Sequence, residues 1–88
     1  MTLMKSAEKI LVYTTNWCAD WQRVQLLLDN YSADYAVIDI EKHPAAVPIV
    51  LHVNDGKKRV PTLVFPDGTT LTEPSNRTLA RKLGLQID

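Results

Sequence analysis

The chain has a single cysteine, Cys18, in 88 residues. No disulfide can form within it, which excludes a disulfide-stapled secreted scaffold. No stretch approaches the roughly 20 apolar residues that a bilayer-spanning helix needs. The run Ile10-Leu11-Val12-Tyr13 is too short for a signal-peptide core, and no small-residue cleavage site follows it. Neither sign of charge is in excess: 10 Lys and Arg balance 10 Asp and Glu. That balance argues against an electrostatic nucleic-acid binder. One cysteine and two scattered histidines, His43 and His52, do not make a zinc site. There are no repeats, low-complexity tracts or linkers.

What is present fits a small folded unit. Apolar residues at 45% and charged residues at 23% suit a globule. The expectation is one domain over residues 1–88, monomeric and cytoplasmic, with no nucleic-acid or membrane partner.

Residues 9–14 are β-branched, aromatic and almost continuously apolar, as in a strand buried on both faces. Thr14-Thr15-Asn16 is a polar turn. From Trp17 the period changes. Trp21, Val24, Leu28 and Tyr31 form one helical stripe with Leu27 beside it. Asp20, Gln22, Arg23 and Asp29 mostly face water, and the helix ends near Asn30. Residues 34–40 read as a second strand, joined to the first by a right-handed parallel crossover. The segment from His43 to Asn54 is helical, starting near Pro48 or kinked there, because a mid-helix proline removes a hydrogen bond and clashes with the preceding turn. Val60 to Phe65 is a third strand. Pro66-Asp67-Gly68-Thr69 signals a hairpin into a short fourth strand, Thr70-Leu71-Thr72. A last helix begins at about Pro74, capped by Thr72 or Glu73, and stops at Gly84. The order βαβαββα packs economically as a mixed sheet with helices on both faces.

Cys18 carries the chemistry. It follows a strand and a polar turn and opens a helix, whose unpaired N–H groups and partial positive charge favour thiolate over thiol. Arg23, one turn further on, adds to that effect, and Asp20 opposes it. The competing reading is a small buried hydrophobe, which is common for free cysteine. With the redox reading goes the expectation of an exposed sulfur.

Five pieces in order now resemble the thioredoxin fold, and within it the glutaredoxin family. They are Tyr13-Thr14-Thr15-Asn16-Trp17-Cys18, Asp39-Ile40-Glu41, Val60-Pro61-Thr62, Asp67-Gly68, and Leu71-Thr72-Glu73-Pro74-Ser75. Among glutaredoxin-like proteins the chain is most similar to the mycoredoxins, from about Ile10 to Leu83. The resemblance implies an α/β, thioredoxin-like three-layer sandwich with a four-stranded mixed sheet in the order 2-1-3-4. It also implies a cis Val60–Pro61 bond facing Cys18, so that an extended thiol ligand pairs with Val60 as an added strand. The segment Thr72, Pro74 and Ser75 would hold the ligand's far end. Trp17 and Trp21 flank the thiol, either as an aromatic rim or, for Trp21, as packing. Lys57 or Arg59 would meet a ligand carboxylate, unless the run Lys57-Lys58-Arg59 is only a solvated turn.

Two departures matter. The second active-site cysteine of the family is Trp21 here, and the lysine that many glutathione-using members carry three residues before the thiol is Thr15. The Cys-Gly-Phe-Ser signature of cluster-holding monothiol glutaredoxins is also missing. With one cysteine, a mixed disulfide on Cys18 must be resolved by a free small thiol. The expectation is therefore a monothiol oxidoreductase acting on mixed disulfides between client proteins and a low-molecular-weight thiol. Mycothiol or glutathione would be its co-substrate, and no cofactor or metal would be bound. The alternative is a non-catalytic thioredoxin-fold module that binds a thiol or a client.

Overall fold

The computed structural model describes residues 9–16 and 18–87. Strand β1, Ile10–Thr14, is followed by helix α1, Ala19–Asn30, and strand β2, Tyr35–Asp39. A 3-10 turn at Pro44–Ala46 leads into helix α2, Val47–Val53. Strands β3, Thr62–Val64, and β4, Thr70–Thr72, form the hairpin, and helix α3, Asn76–Ile87, follows. The sheet order is β2-β1-β3-β4. β1 pairs parallel with β2, Val12 opposite Val37, and antiparallel with β3, Val12 opposite Leu63. This is the expected sandwich.

β1 is almost continuously apolar because it serves two cores. Ile10 and Val12 pack with Trp21, Val24 and Leu28 of α1, Leu63 and Phe65, and Leu79 and Leu83 of α3. Leu11 and Tyr13 turn to the other face, where Ile40, Val47 and Val50 lie. Side chains alternate across a strand, so one central strand supplies both layers.

Several element boundaries differ from expectation. β3 is shorter than residues 60–65, because Val60 and Pro61 leave the ladder. For α2 the first of the two expected arrangements holds: it is a short helix starting next to Pro48, which sits in its first turn where a missing N–H is harmless, and a separate 3-10 turn precedes it. α3 runs through Gly84 to Ile87. A glycine costs only about 1 kcal/mol inside a helix, and the fully buried Leu79 and Leu83 hold this face against the sheet. α3 is capped neither by Thr72 nor by Glu73. Ser75 does it, its Oγ accepting the Thr78 N–H at 3.1 Å.

The hairpin turn is fixed by short-range bonds. Gly68 adopts φ +89°, which favours glycine, and its N–H donates to the Phe65 carbonyl at 2.9 Å. The Asp67 carboxylate accepts from the Thr69 N–H and hydroxyl, and from Lys82 of α3 at 2.7 Å. The same ammonium lies 5.2 Å from the centre of the Phe65 ring. Lys82, then Thr69, hold the Asp67 carboxyl far below the usual carboxylate range.

A depressed folded-state value means that the unfolded chain takes up the proton first as pH falls. Asp67 therefore adds stability above the ordinary carboxylate range, and that contribution is lost on acidification. Urea unfolding should show the midpoint falling progressively below about pH 5 and most steeply below about pH 4, with a shallower fall in Asp67→Asn. Parallel profiles for the two proteins would remove Asp67 from the account.

Candidate functional site

Cys18 is the N-cap of α1 and not a residue of its first turn. Its backbone is extended, φ −78° and ψ 117°, and no side chain caps the helix. Its carbonyl accepts the Trp21 and Gln22 N–H groups, and its own N–H donates to Thr15 at 3.3 Å. The sulfur thus stands at the end of the helix where free N–H groups gather and a negative group is favoured.

The expectation of an exposed sulfur is corrected. Cys18 is 9% exposed and belongs to the cluster of Trp21, Val24, Leu63 and Leu79. The reason lies in helical spacing. Cys18 precedes Trp21 by three residues, so its small side chain continues the buried stripe of α1. The sulfur is not turned away from the third strand, however. The thiol points at the Val60 carbonyl, with 4.0 Å between Sγ and O.

Val60 and Pro61 form the other wall. The bond between them is cis. Pro61 is buried and Val60 half-buried, in contact with both cores. Two sets of bonds hold this segment. On one side the Pro61 carbonyl accepts the Glu73 N–H at 2.9 Å. Glu73 sits at φ +49°, in the left-handed region that residues other than glycine seldom enter. On the other side the Thr62 hydroxyl donates to the Arg59 carbonyl at 2.8 Å. Asn54, just past α2, organises that second set. Its amide donates to Thr62 Oγ1 at 3.0 Å and to the Val50 carbonyl, and its oxygen accepts from the Thr72 hydroxyl at 2.7 Å.

The remaining candidates are distributed as follows. The Thr72 hydroxyl is engaged by Asn54. Pro74 is buried, and its carbonyl accepts from Arg23 Nη2 at 2.8 Å. Ser75 caps α3. Trp21 is 6% exposed and meets Tyr35 edge-on, with ring centres 6.0 Å apart, so it packs. Desolvation raises the Tyr35 hydroxyl above its usual value, and that hydroxyl donates to Asp29 at 2.7 Å. Trp17 lies outside the described residues. Lys57 and Arg59 line a cleft of about 300 Å³ with Val53, Asn54, Asp55 and Thr72, and Cys18 is not in its wall. Arg23 does not simply face water: it bonds Asp20 and the start of α3. Thr15 is 2% exposed, and its Oγ1 has no hydrogen-bond partner.

The sequence reading missed Asn54 and the bridging role of Arg23. An asparagine between a helix and an Asp-Gly turn reads as a local cap. Its partners Thr62 and Thr72 lie 8 and 18 residues away.

A lone thiol at a helix N-cap, facing a cis-proline segment across a 2-1-3-4 sheet, defines a thioredoxin-fold protein of the glutaredoxin type. Residues 10–69 match the glutaredoxin family profile, and the chain belongs to that family. A protein named "Putative glutaredoxin" from Mycobacterium tuberculosis is 40% identical over 74 residues, covering 84% of this chain and 88% of that protein. Mycoredoxin 1 of Corynebacterium glutamicum is 35% identical over 65 residues, covering 74% and 80%. Among solved structures, a glutaredoxin from Archaeoglobus fulgidus superposes with a TM-score of 0.71 at 21% identity, over 88% of this chain and 87% of its own. A disulphide isomerase from Xylella fastidiosa shares the fold at a TM-score of 0.57 and 16% identity, over 99% and 83%. Family membership supports a thiol–disulfide oxidoreductase role. Among the described residues no helix is long and apolar enough to cross a membrane.

Asn54→Ala would leave the Thr62 and Thr72 hydroxyls without the amide they share. Denaturant unfolding should show a loss of about 1–3 kcal/mol. Asn54→Asp keeps the acceptor for Thr72 and removes the donor to Thr62, so it should also destabilise. Wild-type stability in both variants would show that the amide holds nothing.

Proposed function

We propose that this protein, as one domain over residues 1–88, is a monothiol oxidoreductase that removes a low-molecular-weight thiol from mixed disulfides on client proteins. Cys18 is the nucleophile. Its thiolate attacks the sulfur of the small thiol in the mixed disulfide. The S–S bond breaks, the client leaves as a thiolate, and Cys18 becomes disulfide-bonded to the small thiol. A second small-thiol thiolate then attacks that bond. It leaves as the symmetrical disulfide and restores Cys18. Electrons balance without a second cysteine: the incoming free thiol is oxidised to the disulfide level, the client sulfur is reduced by the same amount, and the first small thiol stays at the disulfide level throughout. Val60 would pair with the extended ligand, Pro61 would shape the pocket, and the segment Thr72, Pro74 and Ser75 would hold the ligand's far end, with Trp17 and Trp21 beside the sulfur. The co-substrate is mycothiol or glutathione. The setting is the cytoplasm, whose thiol pool keeps such a cysteine reduced.

The observation that carries this reading is the Cys18 thiol at a helix N-cap, directed at the Val60 carbonyl. A second reading, a thiol- or client-binding module without turnover, draws on the burial of that sulfur and on Trp21 in place of a resolving cysteine. One assay separates them. A mixed disulfide of mycothiol or glutathione with 2-mercaptoethanol is supplied with an excess of the free thiol. Wild-type protein should accelerate its reduction with ping-pong kinetics, and Cys18→Ser should lose at least about a hundredfold of that rate, the scale at which a lost catalytic group is felt. A wild-type rate equal to uncatalysed exchange would leave only the binding module.

A further inference from the structure

The geometry points to Arg23 as a positioning residue that sets the far wall of the thiol site. This inference rests on the function proposed above. Arg23 stands on α1, and its side chain is about one-third exposed (34%). Its planar fork makes three bonds in two directions. Nη2 donates to Asp20 on its own helix at 3.0 Å and to the Pro74 carbonyl at 2.8 Å. Nη1 donates to Asn76 Oδ1, the first residue of α3, at 2.6 Å. Asp20 therefore holds the guanidinium in place, and the guanidinium holds the segment that leads into α3.

Among the described residues, that segment makes few other hydrogen bonds to α1. Glu73 is tied at its N–H to Pro61 and takes a strained left-handed backbone. Ser75 uses its side chain inside α3. Between these two, the Pro74 carbonyl is the group that meets α1. The turn is thus pinned at Glu73 to the cis-proline loop, the wall opposite Cys18, and at Pro74 and Asn76 to the helix that Cys18 caps. Moving either pin changes the distance between sulfur and turn.

A positioning role separates from charge and from bulk. Lysine keeps the charge but carries one ammonium instead of a fork, so it can serve Pro74 and Asp20 but not Asn76 as well. Methionine keeps the stem and removes every bond. A ligand held by the turn senses the loss equally before and in the transition state, so KM rises and kcat does not change. Iodoacetamide is too small to reach the turn and reports on the sulfur alone.

The test uses the mixed-disulfide assay on wild type, Arg23→Met and Arg23→Lys. Amide hydrogen exchange at Ser75 and Asn76 and Cys18 alkylation by iodoacetamide are measured on the same proteins. Arg23→Met should raise KM for the mixed disulfide about fivefold or more, the lower range of coupling between sites. Its kcat should stay within about twofold, where effects on the reacting centre itself are larger. Its alkylation rate should match wild type, and Ser75 and Asn76 should exchange faster. Arg23→Lys should lie between the two in KM. An unchanged KM in Arg23→Met, with wild type turning over, overturns the inference and leaves the proposed function standing. A parallel fall in alkylation overturns it by showing that Arg23 acts on the sulfur. Full rescue of KM by lysine overturns it in favour of simple charge attraction. A wild-type protein with no turnover overturns both the function and the role assigned to Arg23.

Discussion

The contact between the Cys18 thiol and the Val60 carbonyl joins positions 42 residues apart, and the site exists only where that approach is kept. Neither partner lies in a regular ladder. Cys18 is an N-cap, and Val60 precedes β3. Regular structure brings the two loops to the same end of the sheet, because β1 and β3 are antiparallel neighbours, Tyr13 opposite Thr62. The final ångströms depend on side chains and single backbone bonds. Thr62 closes the turn onto Arg59, Asn54 holds Thr62, and Glu73 holds Pro61. Partly buried polar bonds of this kind cost stability when left unmade, which is what makes them specific.

The fold was legible wherever one short-range pattern sufficed. The stripe Trp21, Val24, Leu28 identified α1 and its inner face, and all three are buried. The continuous apolar run of β1 identified a strand covered on both sides. The Asp67-Gly68 pair identified the hairpin through the φ that glycine allows. The ends of α3 were misread because Gly84 and Thr72 carry typical stop and start chemistry. Burial of Leu83 and the position of Ser75 decided otherwise. Local propensity gives way when a residue's neighbours in space outweigh its neighbours in sequence.

The site was legible in its residue types more than in its surroundings. Cys18 and Val60-Pro61 were found from the resemblance and from the strand–turn–helix context. What held them was not found. Asn54 and Arg23 act on groups far along the chain, Thr72 and Pro74 among them, and no periodicity encodes such pairs. The exposure of Cys18 was misjudged for a related reason. A polar turn before it suggested an open surface, but the helical spacing to Trp21 places it on the inner face.

That spacing also changes the meaning of the tryptophan at position 21. Trp21 stands three residues past the thiol, on the same helical face, and is 6% exposed against the Tyr35 ring. Whatever side chain stands at this place points into the core between α1 and the sheet. A large aromatic there buries far more apolar surface than a thiol, and burial scales with area. In a chain of 88 residues, where little surface is buried for each residue, that gain falls on the helix that Cys18 caps. Trp21 fastens α1 to Tyr35 on the edge strand β2, and Arg23 fastens it to α3 on the opposite side. The sulfur is thus presented by a helix braced on both flanks. The same packing that puts an aromatic in place of an internal partner for Cys18 leaves its thiol directed at the Val60 carbonyl.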